Sequence, residues 1–304
     1  MPNERHRHEA TVLHKRSTAH AFASSAAGWM TVVTSVQVFP PIRISVVMPS
    51  LNSGRYLREA LDSVLDQTAP TDELIVQDGG SSDGTHDVLR SYGDRIVWRS
   101  EPDRGQSDAL NRAVECATGD VVIWLNADDR LLSGALAAIR DTFTVDPGLV
   151  FAYGDFDIIN ARAETLRRYR SSIYSWNRVF AQGCYIFSGS LAIRREALLA
   201  AGGYDSDLHA CMDFDLLLRI GRLGRSVHLG RTIAQLRMHG ANKSSAARGL
   251  FLREGLVVRW RYADGSPRRW AVAVFALVRS AVMLATTRLR FSRGWSTIRR
   301  DKLL

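Results

Sequence analysis

Two carboxylates stand side by side at Asp128 and Asp129. They follow directly on Val-Val-Ile-Trp-Leu at 121–125, an apolar run that reads as a strand covered on both faces. Hard oxygen donors at such a place suit Mg2+ or Mn2+, which proteins hold through one or two carboxylates plus substrate phosphates. The competing reading is a pair of acids at a helix N-terminus, where the helix dipole favours them. A second loop, Asp-Gly-Gly-Ser-Ser-Asp-Gly at 78–84, is also acidic. It would repel a bare phosphate and suits hydrogen bonding to a base or a ribose instead. No GxGxxG and no GxxxxGK[ST] follows the first strand, so a dinucleotide fingerprint and a P-loop are both unsupported.

The elements that must hold these loops alternate. β-branched runs predict strands at 44–48, 73–77 and 96–98, with the apolar run at 121–125 as a fourth. Apolar residues at helical spacing predict helices over 55–66, 85–92 and 107–117, and another from about 133. Alternation of this kind implies a parallel sheet with right-handed crossovers. Ligands of such sheets bind outside the carboxyl ends of the strands. The polar stretches at 49–52, 78–83 and 126–129 fall at those ends, so three loops converge on one ligand.

Four segments in order carry a resemblance: SVVMPSLNSGRY from 45, ELIVQDGGSSDGT from 73, EPDRGQSDALNRA from 101 and TGDVVIWLNADDRL from 118. Together they resemble the family 2 glycosyltransferases, over about residues 43–243. The resemblance implies an α/β GT-A fold, a mostly parallel sheet flanked by helices. It implies a hexosyltransferase-type enzyme that moves a sugar, with inversion, from a nucleotide-diphosphate sugar to an acceptor hydroxyl. On this footing Pro49, Ser50 and Asn52 match the loop beside the nucleotide, and Asp78 matches the acid that hydrogen-bonds the base. Gly79 stands where many members carry a second Asp, and Leu110 where many carry Arg. Gly105, Gln106, Asp108 and Asn111 match the segment beneath nucleotide and donor sugar. Of the acid pair, Asp128 is expected nearer the ribose or sugar and Asp129 is the expected ligand of Mn2+ or Mg2+.

The acceptor half matches at Gly-Gly-Tyr-Asp from 202 and at Cys-Met-Asp-Phe-Asp from 211, where Met212 replaces the usual Glu. Asp213 keeps the position of the expected catalytic base. Asp213 and Asp215 are two apart and so point to different faces of a helix, which leaves Asp215 a structural part. His239 resembles a late His that completes the metal site or touches the diphosphate, and Lys243 after it offsets phosphate charge.

Composition narrows the rest. Of 304 residues, 46% are hydrophobic and 23% charged, which excludes a disordered or low-complexity chain. Cys116, Cys184 and Cys211 are odd in number and widely spaced, giving neither a disulfide framework nor a CxxC zinc site. The formal net charge is +9, yet residues 243–304 alone carry 14 Lys or Arg against three Asp or Glu. A near-neutral body with a basic tail is not a nucleic-acid binder, and the tail suits an anionic surface. Residues 1–40 read as a weakly ordered extension, 41–243 as the GT-A domain and 244–304 as a basic helical extension. The apolar stretch at 270–287 is broken by Arg279, so it reads as a helix lying on a membrane or docked on the body rather than a span. The expected setting is therefore cytoplasmic, peripheral at the inner membrane face, in bacterial surface polysaccharide or glycolipid synthesis with a saccharide or lipid-linked acceptor. The alternatives are a degenerate domain that binds nucleotide sugar without turnover, and a membrane-associated assembly protein working through its tail.

Overall fold

The computed structural model describes residues 41–240, 248–276 and 278. Its first half is the expected alternation. Strands β1 (Ile44–Ser50), β2 (Glu73–Asp78), β3 (Val97–Ser100) and β4 (Val121–Trp124) are joined through helices α1 (Leu57–Leu65), α2 (Thr85–Arg90) and α3 (Gln106–Cys116). All seven residues of β1 and all four of β4 are buried, as strands covered on both faces require. Helix α1 buries Leu57, Ala60, Leu61 and Val64, one apolar stripe at i, i+3, i+4 and i+7. Each such leucine taken from water contributes roughly 1.5–3 kcal/mol.

The strand order is β3-β2-β1-β4, so the chain reverses direction across the sheet between β1 and β4. That is the topological switch point at which α/β sheets open a crevice. The ladders show it: β1 pairs with β2 as far as Ser50 and Asp78, but with β4 only as far as Val47 and Trp124.

Beyond β4 the sheet turns mixed. After the short β5 (Arg130–Leu131) and helix α4 (Ala135–Val145) come β6 (Leu149–Ile159), β7 (Thr165–Tyr169) and helix α5 (Trp176–Gln182). Then follow β8 (Leu191–Arg194), α6 (Arg195–Ala200), α7 (Met212–Ile220) and β9 (Arg225–Arg237). β8 runs antiparallel to β4 and β6, whereas β6 and β9 run parallel. β5 pairs antiparallel with the end of β9, through Arg130 and Gln235, which brings the stretch after Asp129 against the stretch before His239.

Two buried clusters lie on the two faces of the sheet. Leu57, Leu61, Leu89, Leu136 and Phe143 pack with Val46 and Met48 on one. Val47, Leu110, Phe151, Met212 and Leu217 form the other. Val258 belongs to this second cluster and is fully buried. It lies on α8 (Arg248–Tyr262), so packing does not stop at the boundary expected at residue 243. The first helix of the basic extension thus adds Val258 to the core of the body, with Phe251 and Tyr262 partly buried against it, while Val257 and Trp260 stay exposed. A further helix covers 267–276. No helix among the described residues is long and apolar enough to cross a membrane. Residues 1–40, Lys243 and the arginines from Arg288 onward lie outside the described residues.

Candidate active site

An open cleft of about 890 Å3 lies past the carboxyl ends of β1 and β4. Pro49, Ser50 and Asn52 line it from the end of β1, Gly105 and Gln106 from the start of α3, and Asp128 from the turn after β4. His239, from beyond β9, and Asp213, from the first turn of α7, complete it. Asp129 lines it as well, so nine positions singled out in the sequence meet on one surface. Asn52 adopts φ +50, a left-handed conformation that Asn tolerates better than most residues. Its side-chain oxygen accepts from the Ser82 N–H at 2.9 Å, which ties the β1 loop to the β2 loop. Gly105 has φ +117, and a Cβ there would stand 3.0 Å from Nδ1 of His209, so only glycine lets the loop pass. Ser50 Oγ is buried without a hydrogen-bond partner among the described residues.

Three expected contacts fall elsewhere. Asp78 is fully buried and does not line the cleft. Its carboxylate accepts from Ser81 N and Oγ and from Ser100 Oγ, and lies 3.0 Å from His86 Nε2. Burial alone would raise its pKa, but these donors outweigh it and hold the carboxyl below its ordinary range. Asp108 is spent on Arg104 and Arg112, and Asn111 on the backbone of Tyr204. The helical period explains this: Gln106 and Ala109 share the cleft face of α3, whereas Asp108 and Asn111 are turned away from it.

The two acids of the pair both line the cleft but differ in their surroundings. Asp129, 1% exposed, accepts from the Arg237 N–H at 2.8 Å and from Asn126 Nδ2 at 2.8 Å. Burial, then the neighbouring Asp128 charge, pushes its carboxyl well above the usual range. Asp128 is the member beside His239, with Oδ2 and Nε2 2.9 Å apart. Two ligands in adjacent positions of an octahedron with metal–ligand bonds near 2.1 Å stand about 3 Å apart, so the pair has the right spacing to share a cation. No group of three or more His, Cys, Asp or Glu able to hold a metal occurs among the described residues. Remaining positions would fall to substrate oxygens and water, the usual arrangement for Mg2+.

The sequence profile of glycosyl transferase family 2 matches residues 45–201, just over half of the chain. The chain belongs to this family. An uncharacterized glycosyltransferase of Rickettsia typhi is 26% identical over 67% of the chain, which spans 66% of that relative's length. A PGL/p-HBAD biosynthesis glycosyltransferase of Mycobacterium bovis is 29% identical over 58% of the chain and 68% of its own length. Among solved structures, S. aureus TarS 1–349 in complex with UDP-GlcNAc superposes with a TM-score of 0.62 at 15% identity, over 86% of the chain and 78% of TarS 1–349. The mannosyltransferase PcManGT from Pyrobaculum calidifontis, solved with GDP-Man and Mn2+, gives 0.55 at 21% identity over 88% and 86%. At these identities the structures establish the GT-A fold.

The candidate site also rests on Arg237 and Glu254, outside the four motif segments, and on Tyr56 and Asn126, within them but given no role there. Arg237 is fully buried; its Nε donates to the Asp128 carbonyl at 2.9 Å and its Nη2 to Glu59 at 2.6 Å. Its guanidinium lies 4.6 Å from the Tyr56 ring, which packs 4.9 Å from the His239 ring. One arginine thus fixes the backbone of Asp128 and, through Tyr56, the wall behind His239. Asn126 Oδ1 accepts from both Gln106 Nε2 and Trp124 Nε1, each at 2.8 Å, and so ties α3 to the end of β4. Glu254 of α8 is buried, and its carboxylate accepts three consecutive amides, from His209, Ala210 and Cys211. These precede Asp213. A signal for Glu254 was present, since it is one of only three acids in the basic stretch. None of the family motifs reaches it.

Asp213 and Asp215 separate as their spacing requires. Asp213 faces the cleft. Asp215 is buried against Arg219 at 2.7 Å and the Tyr262 hydroxyl at 3.0 Å. Cys184 and Cys211 lie near Asp213, and burial first, then that charge, raises both thiols, Cys211 to about 12. Both are protonated and inert at neutral pH, consistent with structural free thiols.

Proposed function

We propose that this chain is an inverting, metal-assisted glycosyltransferase that passes a sugar from a nucleotide-diphosphate sugar to an acceptor hydroxyl. One observation carries the reading. Asp128 and His239 face each other at 2.9 Å in a cleft at the sheet's switch point, and Asp213 lies in the same cleft. Asp128 and His239 would hold Mn2+ or Mg2+, which supplies positive charge to balance the leaving diphosphate. Arg55, exposed at the rim, adds a second cation facing the same space.

Asp213 is the proposed general base. It takes the proton of the acceptor hydroxyl as that oxygen attacks the anomeric carbon, while the bond from that carbon to the diphosphate breaks on the opposite face. Attack from the opposite face inverts the anomeric centre. The Ser50 hydroxyl, which has no partner among the described residues, and the Asn52 side chain offer polar contacts to the nucleotide beside the end of β1.

The acceptor we propose is a saccharide or lipid-linked hydroxyl, in cytoplasmic synthesis of a surface polysaccharide or glycolipid at the inner membrane face. Trp260, Val274 and Phe275 are exposed apolar side chains on the last described helices, and they support peripheral membrane contact through the C-terminal segment.

The test is calorimetric titration of the folded protein with UDP, GDP, dTDP and CDP, each with and without Mn2+. Tight binding of at least one that weakens when Mn2+ is withheld is the expected result. Failure to bind any of them would overturn the reading.

A further inference from the structure

The acid first matched to the base, Asp78, is sealed away from the cleft, and its neighbour Gly79 has no side chain. Yet the space over Gly79 is filled. A Cβ built on Gly79 would fall 2.6 Å from Oδ2 of Asp103. Asp103 comes from the loop between β3 and α3, is half-buried, and lines the cleft. Its Oδ1 accepts from the Gly105 N–H at 2.8 Å, which fixes the carboxylate without consuming it. Its Oδ2 has no hydrogen-bond partner among the described residues.

The position along the sheet decides what this oxygen meets. In the order β3-β2-β1-β4, Asp103 follows the outermost strand, Asn52 follows β1 and Asp128 follows β4. This inference rests on the nucleotide-sugar reading. With the diphosphate at Asp128 and His239 and the sugar towards Asp213, the base extends back towards β2 and β3. It then meets Asp103.

We infer that Asp103 is the base-recognition residue of this chain, and that it selects a base carrying a ring N–H. An ionised carboxylate only accepts hydrogen bonds. N3–H of uracil or thymine and N1–H of guanine donate to it. Cytosine and adenine turn a ring nitrogen lone pair to the same edge, which a carboxylate repels. The site therefore discriminates by an unpaired, facing acceptor, a stronger filter than shape alone.

The experiment measures nucleotide affinity by calorimetry in the presence of Mn2+, with UDP, dTDP, GDP, CDP and ADP as probes. Wild-type protein is expected to bind at least one of the first three more tightly than CDP and ADP. Asp103→Ala is expected to weaken that nucleotide about ten- to hundred-fold, the loss of one charge-assisted hydrogen bond, and to leave CDP within about twofold. Gly79→Asp alone forces two carboxylates together and is expected to weaken binding as well. Combined with Asp103→Ala, it puts a carboxylate back into the vacated space and is expected to recover most of the affinity and the discrimination.

Outcomes separate the two levels. If the wild type binds no nucleotide, the transferase reading and this inference fail together. If it binds, but Asp103→Ala keeps both affinity and preference, Asp103 is not the base-recognition residue and only this inference falls. Wild-type preference for CDP or ADP would overturn it too.

Discussion

The carboxylate of Glu254 accepts the backbone N–H of Cys211 at 2.9 Å, and Cys211 is the N-cap of the helix that carries Asp213. The proposed base is therefore held in place from α8, outside the stretch that carries the family motifs. Glu254→Ala leaves three amides without their acceptor, two of them in bonds buried from water. It is expected to lower stability by about 3 kcal/mol, seen as a fall in the urea midpoint. Glu254→Gln retains one acceptor oxygen. It is expected to fold, to bind nucleotide normally and to transfer sugar more slowly, since it disturbs the approach of Asp213 rather than the donor side. Full turnover in that variant would show that the loop holds itself.

The two neighbouring acids should separate cleanly by substitution. Asp128→Ala is expected to abolish the Mn2+-dependent part of nucleotide affinity with little change in melting temperature. Asp129→Asn is expected to do the reverse. It keeps one acceptor for two donors, the Arg237 amide and Asn126, and so costs roughly 1–3 kcal/mol of stability while metal dependence persists. Calorimetry with and without Mn2+, beside thermal melts, checks both. A stable Asp129→Asn protein that has lost its response to Mn2+ would return the ligand role to Asp129.

The limits of the sequence are visible at particular residues. The parallel half was legible because β1 carries a β-branched apolar run, β4 is uniformly apolar and α1 repeats at helical spacing, all properties of single segments. The convergence of Pro49, Asn52 and Asp128 followed from topology alone. The different surroundings of Asp128 and Asp129 were not legible. Adjacent residues in a turn point in different directions, and which one is buried depends on Arg237, more than a hundred positions away. The burial of Asp78 was hidden for a related reason: its donors Ser81, in the loop after β2, and Ser100, at the end of β3, come from separate segments, and only their meeting shows that the carboxylate is held. β6 and β9 were missed because their edges and bulges break the alternation that marks a strand.

Asp213→Asn is expected to lower kcat by roughly 10^2- to 10^4-fold, the usual worth of a positioned general base. Donor affinity should stay within about twofold, because the role proposed for Asp213 is to take the acceptor's proton and not to hold the nucleotide. Asp215→Asn is the control. It breaks the bond to Arg219 or to Tyr262 and should cost stability more than turnover. Single-turnover transfer together with nucleotide titration distinguishes these outcomes. Near-normal transfer by Asp213→Asn would require a different base.

At the opposite end of the sheet, Glu73 makes a pH-dependent clamp between β1, β2 and the start of β4. Burial would raise its pKa, but donors at Ser45 Oγ, Thr118 N and Gly119 N outweigh this and hold the carboxyl below its ordinary 4.5. A depressed folded-state pKa means that the unfolded chain binds the proton more readily. The stabilisation from Glu73 is then complete above its ordinary value and is lost as pH falls through the lower folded-state value. The wild type should lose stability from pH 6 to pH 3 more steeply than Glu73→Gln, whose side chain cannot titrate, even though that variant is less stable at pH 6. Urea midpoints for both proteins across that interval test it. Parallel curves would mean that Glu73 gains no more from its donors than it loses to burial. In that case the acid sensitivity would have to come from other carboxylates held below their ordinary range, such as Asp155 with its Ser171, Arg170 and His228 partners.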